Sequence, residues 1–479
     1  MVCKGYEPKK VLEYFEKLST IPRGSGNEKA VSDYLVSFAK ERGLYVRQDE
    51  ANNVVIKKKA YKGYESHPGV IIQGHMDMVA VKDKDFDIDL EKDPLRLKIK
   101  DGFLFAEGTT LGSDDGIAVA YALAILDSDD IIHPPLTVII TTDEEVGMNG
   151  ASYIDLSDVD ARILLNVDSE EEGILTVGCA GGARADSVFP VVRECVKGDL
   201  LRIELTGLLG GHSGEEINKK RGNASVLMAR FLTELADITE YSLFSLMGGD
   251  KDNAITSESV AEIVVSGDAG EVSRFALEFE KILKEEYRKT DPDMKLGVYI
   301  TKDVSVKALS FEDSVKMCNT IYIMPNGIQE MSADIEGLVE TSLNLGIVKL
   351  EEDRLLLGQS LRSSVSSRKE ALKRKVAKVT QLAGGEISFR GEYPAWEYNK
   401  DSRLRDLMIE IFRKEYGKDP EVKMIHAGLE CGILAKKLEG LDAVSFGPDL
   451  KDIHTTREKM DLKSCERTYN YILEILKSL

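Results

Sequence analysis

Residues 69–79 of the chain read GVIIQGHMDMV, and the short apolar run Val70–Gln73 at their centre is typical of a buried strand. Two later runs have the same β-branched, apolar character, Leu136–Thr142 (LTVIITT) and Ile163–Val167 (ILLNV). Between the first two runs, Gly116–Leu126 (GIAVAYALAIL) has the pattern of a helix. Runs that are apolar on both faces suit strands covered by helices on both sides. The pattern therefore predicts an α/β fold with a mostly parallel central sheet.

The chain has 479 residues, and a single core rarely grows beyond ~250–300 residues, so we expect more than one domain. The pattern of predicted strands and helices changes near Gly181 and Gly182, which we interpret as a hinge. It changes again around Phe389–Trp396. Between these points we predict strands and amphipathic helices in alternation, at Leu200–Leu205, Ala224–Ala236, Val260–Val265, Val272–Lys289, Leu338–Leu345 and Arg368–Leu382. Beyond them we predict helices at Ser402–Tyr416, Gly432–Lys437 and Lys463–Leu479 and a strand at Ala443–Gly447. The chain is thus expected to form a discontinuous catalytic domain, residues 1–183 and 390–479, with an α+β lid domain, residues 184–389, inserted into it.

Composition argues against several classes of partner. The formal net charge is −20, which opposes binding to nucleic acids or anionic membranes because no cationic field would attract their phosphates. Residues 1–30 contain no apolar signal-peptide core, and the longest apolar run, Ile117–Leu126, is shorter than the ~20 residues that span a bilayer. The six cysteines are scattered and form no CxxC pair, so we expect free thiols and a cytoplasmic location.

Acidic and histidine residues follow the predicted strands. They are His75 and Asp77 after the first strand, Glu144 and Glu145 after the second, Asp168 after the third and His454 after the C-terminal strand, with Asp114 at the start of the first helix. Ligands of open α/β sheets bind at the carboxyl ends of the strands. We therefore expect these side chains to converge at one edge of the sheet.

Two histidines with several carboxylates suit Zn²⁺ or Mn²⁺. Taken singly, each residue also has a simple structural explanation, such as a helix cap, a turn, a packed histidine or a solvated glutamate pair. Their repetition at successive strand ends favours the metal site. Two ions held ~3.5–4 Å apart act on an attacking water in known hydrolases.

The ordered series of these residues resembles that of the dinuclear zinc peptidases of the M20 family. The fuller phrases GHMDMV, LGSDDGIAVAYALAIL, TTDEEVGMNGA, LLNVDSEEEG, GCAGG and HAGLECGIL are similar to those of aminoacyl-histidine (Xaa-His) dipeptidases. The resemblance extends over nearly the whole chain, including the inserted region.

The resemblance implies a role for each residue of the series. One zinc would be held by His75, Asp114 and Asp168, and the other by Asp114, Glu145 and His454, with Asp114 bridging the two. Mn²⁺ and Co²⁺ are alternative metals. Asp77 would orient His75, and Glu144 would be the general base. In this family an aspartate at position 168 accompanies substrates with a free amino terminus.

Further residues are candidates for substrate binding. In the predicted lid, the Gly-rich turn around His212 (GGHSG) resembles the turn whose histidine stabilises the oxyanion in relatives, and Arg362 is a candidate for the substrate carboxylate. Asn253, His426 and Glu430 are weaker candidates for substrate contact. A surface histidine, a surface salt bridge and a turn asparagine are the structural alternatives for His212, Arg362 and Asn253.

The sequence therefore predicts a cytoplasmic dinuclear metallo-dipeptidase that cleaves Xaa-His dipeptides of the β-Ala-His type and forms a homodimer through the lid. Two alternatives stay open at this point. One is an amidohydrolase of the same family that deacylates N-acyl amino acids, and the other is a non-catalytic peptide- or metal-binding protein on the same fold.

Overall fold

The computed structural model describes residues 2–479, which divide into two compact units. Unit 1 contains the chain up to Cys179 together with Tyr398–Ile425 and Leu429–Leu479. Unit 2 contains Ala180–Glu397 and the short segment His426–Gly428. The predicted insert, residues 184–389, falls inside unit 2.

The N-terminal part of unit 1 alternates strands and helices. Its elements are α1 (Lys9–Leu18), α2 (Lys29–Glu41), β1 (Tyr45–Gln48), β2 (Val54–Lys58), β3 (Val70–His75), β4 (Leu97–Lys100), β5 (Phe103–Ala106), α3 (Ser113–Leu126), β6 (Leu136–Thr141), α4 (Asn149–Tyr153), β7 (Ile163–Asn166) and β8 (Ile174–Cys179). Helix α3 is apolar on every side and is buried from Gly116 to Leu126, as expected of a helix enclosed in a core. Its N-terminal residues are consequently held in a fixed position.

Unit 2 follows without a break. Its elements are β9 (Gly181–Pro190), β10 (Glu194–Thr206), β11 (Gly211–His212), α5 (Ala224–Leu235), β12 (Ser242–Gly248), β13 (Ala254–Ile255), β14 (Ser259–Val265), α6 (Ala269–Glu286), β15 (Lys295–Ala308), α7 (Phe311–Ile323), β16 (Gly327–Met331), β17 (Val339–Leu350), β18 (Arg354–Ser363), α8 (Ser366–Leu382) and β19 (Glu386–Tyr393). The pair Gly181–Gly182 begins strand β9, directly after the boundary between the two units at Cys179 and Ala180, and the hinge interpretation stays a prediction. A Cβ on Gly181 would lie 2.4 Å from the backbone nitrogen of Ala395, and one on Gly182 would lie 2.4 Å from the Tyr393 ring. Close packing is therefore the reason for these glycines.

The C-terminal part returns to unit 1. Its elements are α9 (Arg403–Tyr416), β20 (Glu421–Ile425), α10 (Glu430–Lys437), β21 (Asp442–Ser445), β22 (Leu450–Lys451), β23 (Lys459–Asp461) and α11 (Leu462–Ser478). Among residues 2–479, none of these or the earlier helices has the length and apolar character that a membrane crossing requires.

Each unit is built on a different kind of sheet. The main sheet of unit 1 has the strand order β1-β2-β6-β3-β7-β21-β8-β20, and its central strands β6, β3, β7 and β21 run parallel. The main sheet of unit 2 is antiparallel, in the order β15-β10-β14-β12-β17-β18-β9-β19, with β16 attached to β17. Its buried side packs on the helices of the unit through residues such as Phe231, Phe279 and Leu343. The predicted α/β fold with a mostly parallel sheet, accompanied by an α+β region, is confirmed.

Candidate active site

The carboxyl ends of the parallel strands in unit 1 meet at one edge. His75, the last residue of β3, pairs with Thr141, the last residue of β6. Two positions earlier, Gln73 pairs with Asn166 at the end of β7, and Asn166 pairs with Ser445 at the end of β21. The loops that leave these four strands therefore start side by side, which is where ligands bind in open α/β sheets.

Five side chains from these loops and from the start of α3 form what we name the ligand cluster, His75, Asp114, Glu145, Asp168 and His454. Asp114 lies between the two histidines, with Oδ1 3.2 Å from Nε2 of His75 and Oδ2 3.1 Å from Nε2 of His454. Asp168 Oδ1 is 3.4 Å from the same His75 nitrogen, and Glu145 Oε1 is 3.0 Å from that of His454. One carboxylate thus faces two separate sets of donor atoms.

Asp77 positions His75 and the backbone of Glu144 and Glu145. Nδ1 of His75 donates to the backbone carbonyl of Asp77 at 3.1 Å and lies 3.3 Å from its Oδ1. When the ring is neutral with its proton on Nδ1, the lone pair of Nε2 is available to bind a metal ion. The Asp77 carboxylate also accepts hydrogen bonds from the backbone N–H groups of Glu144 (3.1 Å) and Glu145 (3.3 Å) and from the Ser25 hydroxyl (2.8 Å).

The electrostatics of the cluster favour a bound cation. Burial opposes a charge on His75, but hydrogen bonds to Asp114, Asp168 and Asp77 outweigh it and raise its pKa well above the usual value. Hydrogen bonds to Asp114 and Glu145 raise the pKa of His454 to about 10. Imidazole nitrogens and carboxylate oxygens are also the donors that Zn²⁺ and similar metals take in proteins. The residues present therefore fit divalent metal ions.

Two acidic residues near the cluster have no assignment from the sequence. Atoms of His75, Asp115 and Asp168 lie close enough together to hold a metal, as do those of His75, Asp114 and Glu145. Asp115 also accepts the backbone N–H of His75 at 3.2 Å. The pKa of Glu170 is raised to about 7 by burial and by the charges of Asp114 and Asp168. The only sequence signals were the doublet SDDG, in which both aspartates suit a helix start, and the acidic run SEEEG.

Glu144 is close to the cluster without the short contacts of its neighbours. Its Oε2 lies 4.0 Å from Nε2 of His75. Burial raises the pKa of Glu144 to about 9, the charge of His75 opposes this, and the charges of Asp168, Glu430 and other carboxylates add to it. A carboxylate in this environment readily accepts a proton.

Glu430 lies in unit 1 and is completely buried at the start of α10. Its Oε2 accepts hydrogen bonds from Gln73 Nε2 and Thr141 Oγ1, both at 2.6 Å. Burial raises its pKa to about 8. These contacts attach Glu430 to the ligand-bearing strands β3 and β6.

The other predicted substrate-binding residues lie in unit 2. His212, Arg362 and His426, which we name the arginine cluster, meet at Gly214. A Cβ on that residue would lie 3.1 Å from the His212 ring, 3.2 Å from the guanidinium carbon of Arg362 and 3.1 Å from the backbone carbonyl oxygen of His426. Arg362 Nη1 donates to the Tyr393 hydroxyl at 3.1 Å, and His426 Nε2 is 2.7 Å from the Ser342 hydroxyl.

Asn253 is connected to the arginine cluster through backbone hydrogen bonds with the segment that carries His212. Its backbone carbonyl accepts the N–H of Ser213 at 2.9 Å, and the following residue, Ala254, pairs with His212 between β13 and β11. The position of Asn253 therefore fixes the strand that carries His212.

The two histidines of the arginine cluster are held neutral. Burial and the charge of Arg362 lower the pKa of His426 to about 3 and also lower that of His212. Nδ1 of His212 accepts the backbone N–H of Glu215 at 3.3 Å, so a neutral ring carries its proton on Nε2. Arg362 Nε and His426 Nδ1 are buried without a hydrogen-bond partner in the described chain. The unpaired N–H of the Arg362 guanidinium is suited to an anionic group of a ligand.

Comparison with known proteins agrees with this geometry. Residues 71–478 match Peptidase family M20/M25/M40. The chain is 35% identical over 477 residues to the cytosol non-specific dipeptidase of Escherichia coli, covering 98% of each chain. It is 34% identical to the aminoacylhistidine dipeptidase of Vibrio alginolyticus, whose crystal structure superposes with a TM-score of 0.94 over 100% of this chain and 98% of that one.

A more distant structure shares the fold. The aminopeptidase PepT of Bacillus cereus is 15% identical, with a TM-score of 0.57 over 98% of both chains. The family match and the full-length relatives show that this chain belongs to peptidase family M20/M25/M40. It is therefore a peptidase with a mixed α/β fold, and its cluster of histidines and carboxylates is a candidate metal centre of that enzyme.

Proposed function

We propose that the protein is a metal-dependent dipeptidase that hydrolyses dipeptides with a free amino terminus. The observation that carries the proposal is Asp114, whose two oxygens face the Nε2 atoms of His75 and His454 at 3.2 and 3.1 Å. This arrangement suits a carboxylate that bridges two cations. Full-length similarity to a dipeptidase named non-specific and to an aminoacylhistidine dipeptidase supports the substrate class.

The ligand cluster would hold two divalent ions, Zn²⁺ in the first instance, with Mn²⁺ and Co²⁺ as alternatives. His75, Asp114 and Asp168 would bind one ion, and Asp114, Glu145 and His454 the other. When bound, such ions supply Lewis-acid polarisation of the scissile carbonyl and of the attacking water. Asp77 contributes by fixing the proton of His75 on Nδ1 and by holding the backbone of Glu144 and Glu145.

Glu144 is the general base of the proposed reaction. Its carboxylate takes a proton from the attacking water and then donates that proton to the nitrogen of the leaving amine. The position of Glu144 supports this role, because its Oε2 lies 4.0 Å from Nε2 of His75, beside the ligand cluster. Its backbone N–H is fixed by Asp77, which orients the side chain.

The arginine cluster is the proposed binding site for the negative groups of the substrate. His212 would donate its Nε2–H to the developing oxyanion, and Arg362 would pair with the terminal carboxylate through two parallel hydrogen bonds. Asn253 and His426 are further candidate contacts. Glu430, also a candidate from the sequence, is placed where it supports β3 and β6, so we assign it support of the ligand cluster.

The breadth of the substrate range is an open part of the proposal. Asp168 favours substrates with a free amino terminus, and the resemblance of the longer sequence phrases to those of aminoacyl-histidine dipeptidases favours Xaa-His dipeptides of the β-Ala-His type. The relative from Vibrio alginolyticus is named for that specificity, whereas the one from Escherichia coli is named non-specific. We propose Xaa-His dipeptides as the preferred substrates and a wider set as slower ones.

We also propose a cytoplasmic location and a homodimer formed through unit 2. The name of the relative from Escherichia coli supports the location. Strand β15 supports the dimer, since it is the terminal strand of its sheet and exposes Tyr299 and Ile300. A long strand edge of this kind is a surface on which a second chain can pair.

A substrate panel tests the proposal. Metal-free protein is titrated with Zn²⁺, Mn²⁺ or Co²⁺, and each loaded form is assayed with Xaa-His, other dipeptides and their N-acetylated versions. We expect two equivalents of metal per chain and hydrolysis of the free dipeptides only. Hydrolysis of the N-acylated compounds alone would identify a deacylase instead, and metal binding without any hydrolysis would identify a binding protein.

A further inference from the structure

The loop that carries Asp114 wraps around a buried carboxylate from the far end of the chain. Glu458 is 2% exposed. Its Oε2 accepts the backbone N–H groups of Leu111 (2.8 Å) and Gly112 (3.0 Å), and its Oε1 accepts the N–H (2.7 Å) and hydroxyl (2.6 Å) of Ser113. Successive backbone N–H groups that point to one place form a nest for an anion. Here the anion is a side chain of the protein itself.

Glu458 also belongs to the segment that carries His454. Its backbone N–H donates to the carbonyl of Thr455 at 3.1 Å, which closes a tight turn between His454 and Glu458. The Glu458 carboxylate therefore joins the segment of His454 to the segment of Asp114. The Oδ2 atom of Asp114 and the Nε2 atom of His454 are the atoms that this junction brings together, 3.1 Å apart.

A buried arginine makes the corresponding junction on the other side of the loop. Arg23 is 2% exposed. Its Nη1 donates to the carbonyls of Met76 (3.0 Å) and Asp77 (3.3 Å), and its Nη2 donates to the carbonyl of Gly112. The guanidinium thus joins the segment that follows His75 to the loop of Asp114.

The packing leaves no room for a different arrangement at this junction. A Cβ on Gly112 would lie 2.7 Å from Nη2 of Arg23, and one on Gly116 would lie 2.4 Å from the same atom. Gly112 also has a φ of +67°, which glycine adopts without strain. Both glycines belong to the phrase LGSDDG, so the sequence around Asp114 is shaped to receive the arginine.

We propose that Arg23 and Glu458 are positioning residues that hold the three segments bearing His75, Asp114 and His454 in their ligating arrangement before a metal binds. The inference rests on the metal centre of the proposed function. Loops that are already ordered lose less conformational entropy when they bind an ion, so the affinity for the ion is higher. Residues that orient metal ligands typically contribute ~10–100-fold to metal affinity.

Two nearly isosteric or charge-conserving variants test this role, each with a matched control. Glu458→Gln keeps the shape but replaces one acceptor oxygen by an amide donor, and Arg23→Lys keeps the charge but cannot reach three carbonyls. Arg405→Lys is the control for arginine, because Arg405 is buried in unit 1 and donates to the carbonyls of Asn399 and Lys400. Asp442→Asn is the control for the acid, because Asp442 accepts the N–H of Leu404 at the opposite end of strand β21.

The measurements are the Zn²⁺ dissociation constants of the full-length chain, by competition with a chelator, and the thermal unfolding of metal-free and loaded protein. We expect Glu458→Gln and Arg23→Lys to weaken binding about 10–100-fold and to reduce the gain in melting temperature on loading. The two controls should stay within about twofold of the original dissociation constant, because they lie outside the ligand segments.

Other outcomes separate the possible failures. If both variants melt earlier by the same amount with and without Zn²⁺ and keep their dissociation constants, the two residues are merely structural and the inference is wrong. If Glu458→Gln does not fold, Ser113→Ala removes one contact of the same carboxylate, and unchanged Zn²⁺ affinity there would also refute the inference. Failure of the unaltered protein to bind Zn²⁺ would instead contradict the proposed function.

Discussion

The two candidate clusters shift the pKa values of their histidines in opposite directions. In unit 1, carboxylates surround His75 and His454 and raise the pKa of both. In unit 2, burial and the charge of Arg362 lower the pKa of His212 and His426. In unit 1 the surrounding carboxylates favour a positive charge at the histidines, whether from a proton or from a metal ion, whereas the neutral histidines of unit 2 can donate a hydrogen bond to an anion.

The largest effect is expected from replacing Glu144, the proposed general base in unit 1. We expect Glu144→Gln to reduce kcat by ~10²–10⁴-fold, because the amide has the shape of the carboxylate but cannot accept a proton from water. Bound metal should remain at the level of the unaltered protein. Both quantities are measured on the same preparation, kcat with a dipeptide and metal content by elemental analysis.

Glu145→Gln is the matched control for this change. The Glu145 side chain lies 3.0 Å from His454 in the ligand cluster. We therefore expect the Glu145→Gln protein to lose metal as well as activity. If Glu144→Gln and Glu145→Gln behave alike in metal content, the two neighbours do not divide the roles of base and ligand. Turnover by Glu144→Gln within a few-fold of normal would assign the proton transfer to another group.

A second, smaller effect is expected in unit 2. His212→Ala should lower kcat by about 10²–10³-fold, the cost of losing one oxyanion donor, and should change KM less than kcat. The reason is that the Nε2–H donor of His212 meets a negative charge only in the transition state. Steady-state kinetics with one dipeptide separates the two constants. A change confined to KM would place His212 in ground-state binding.

Mixing two inactive variants sharpens the same prediction. If the protein is a dimer in which one chain supplies His212 to its partner, His212→Ala chains mixed with Glu144→Gln chains should regain activity, since one hybrid site then has both groups intact. Subunit exchange is verified with differently tagged chains. Exchange without recovery of activity would assign His212 to the metal centre of its own chain.

Much of the metal centre could be predicted from local sequence, and the reasons are physical. Apolar runs such as Val70–Gln73 determine strands, and a parallel sheet brings their carboxyl ends together, so His75 and Asp168 were expected at one edge. The elements at Ala224–Leu235 and Ser259–Val265 follow their hydrophobic patterns to within a residue at each end.

The residues that the sequence did not indicate act through contacts that are distant along the chain. Glu458 accepts from Leu111 across 347 positions, and no local pattern marks such a pair. Arg23 is an isolated arginine in the segment IPRGSG. The close packing around Gly181 and Gly182 has no mark in the sequence for the same reason, because only the fold shows that Ala395 and Tyr393 occupy the space that their side chains would need.

The smallest predicted effect concerns the neutral state of His426. Its pKa is lowered from 6.5 to about 3 by burial and by the charge of Arg362. Between those two pH values the unfolded chain binds a proton that the folded chain does not. The free energy of unfolding therefore falls as the pH decreases below 6.5, and the contribution is complete only above that pH.

We expect His426→Gln to remove this dependence, because the glutamine amide can occupy the position of Nε2 beside Ser342 without titrating. Metal-free protein is used, so that loss of metal at low pH does not contribute. Between pH 7 and pH 5 the unaltered chain should lose about 2 kcal/mol more stability than the variant, since each pKa unit corresponds to about 1.4 kcal/mol. Urea unfolding at both pH values measures the difference. Equal losses in the two proteins would mean that His426 is protonated in the folded chain, and the contrast between the histidines of the two units would then apply to His212 alone.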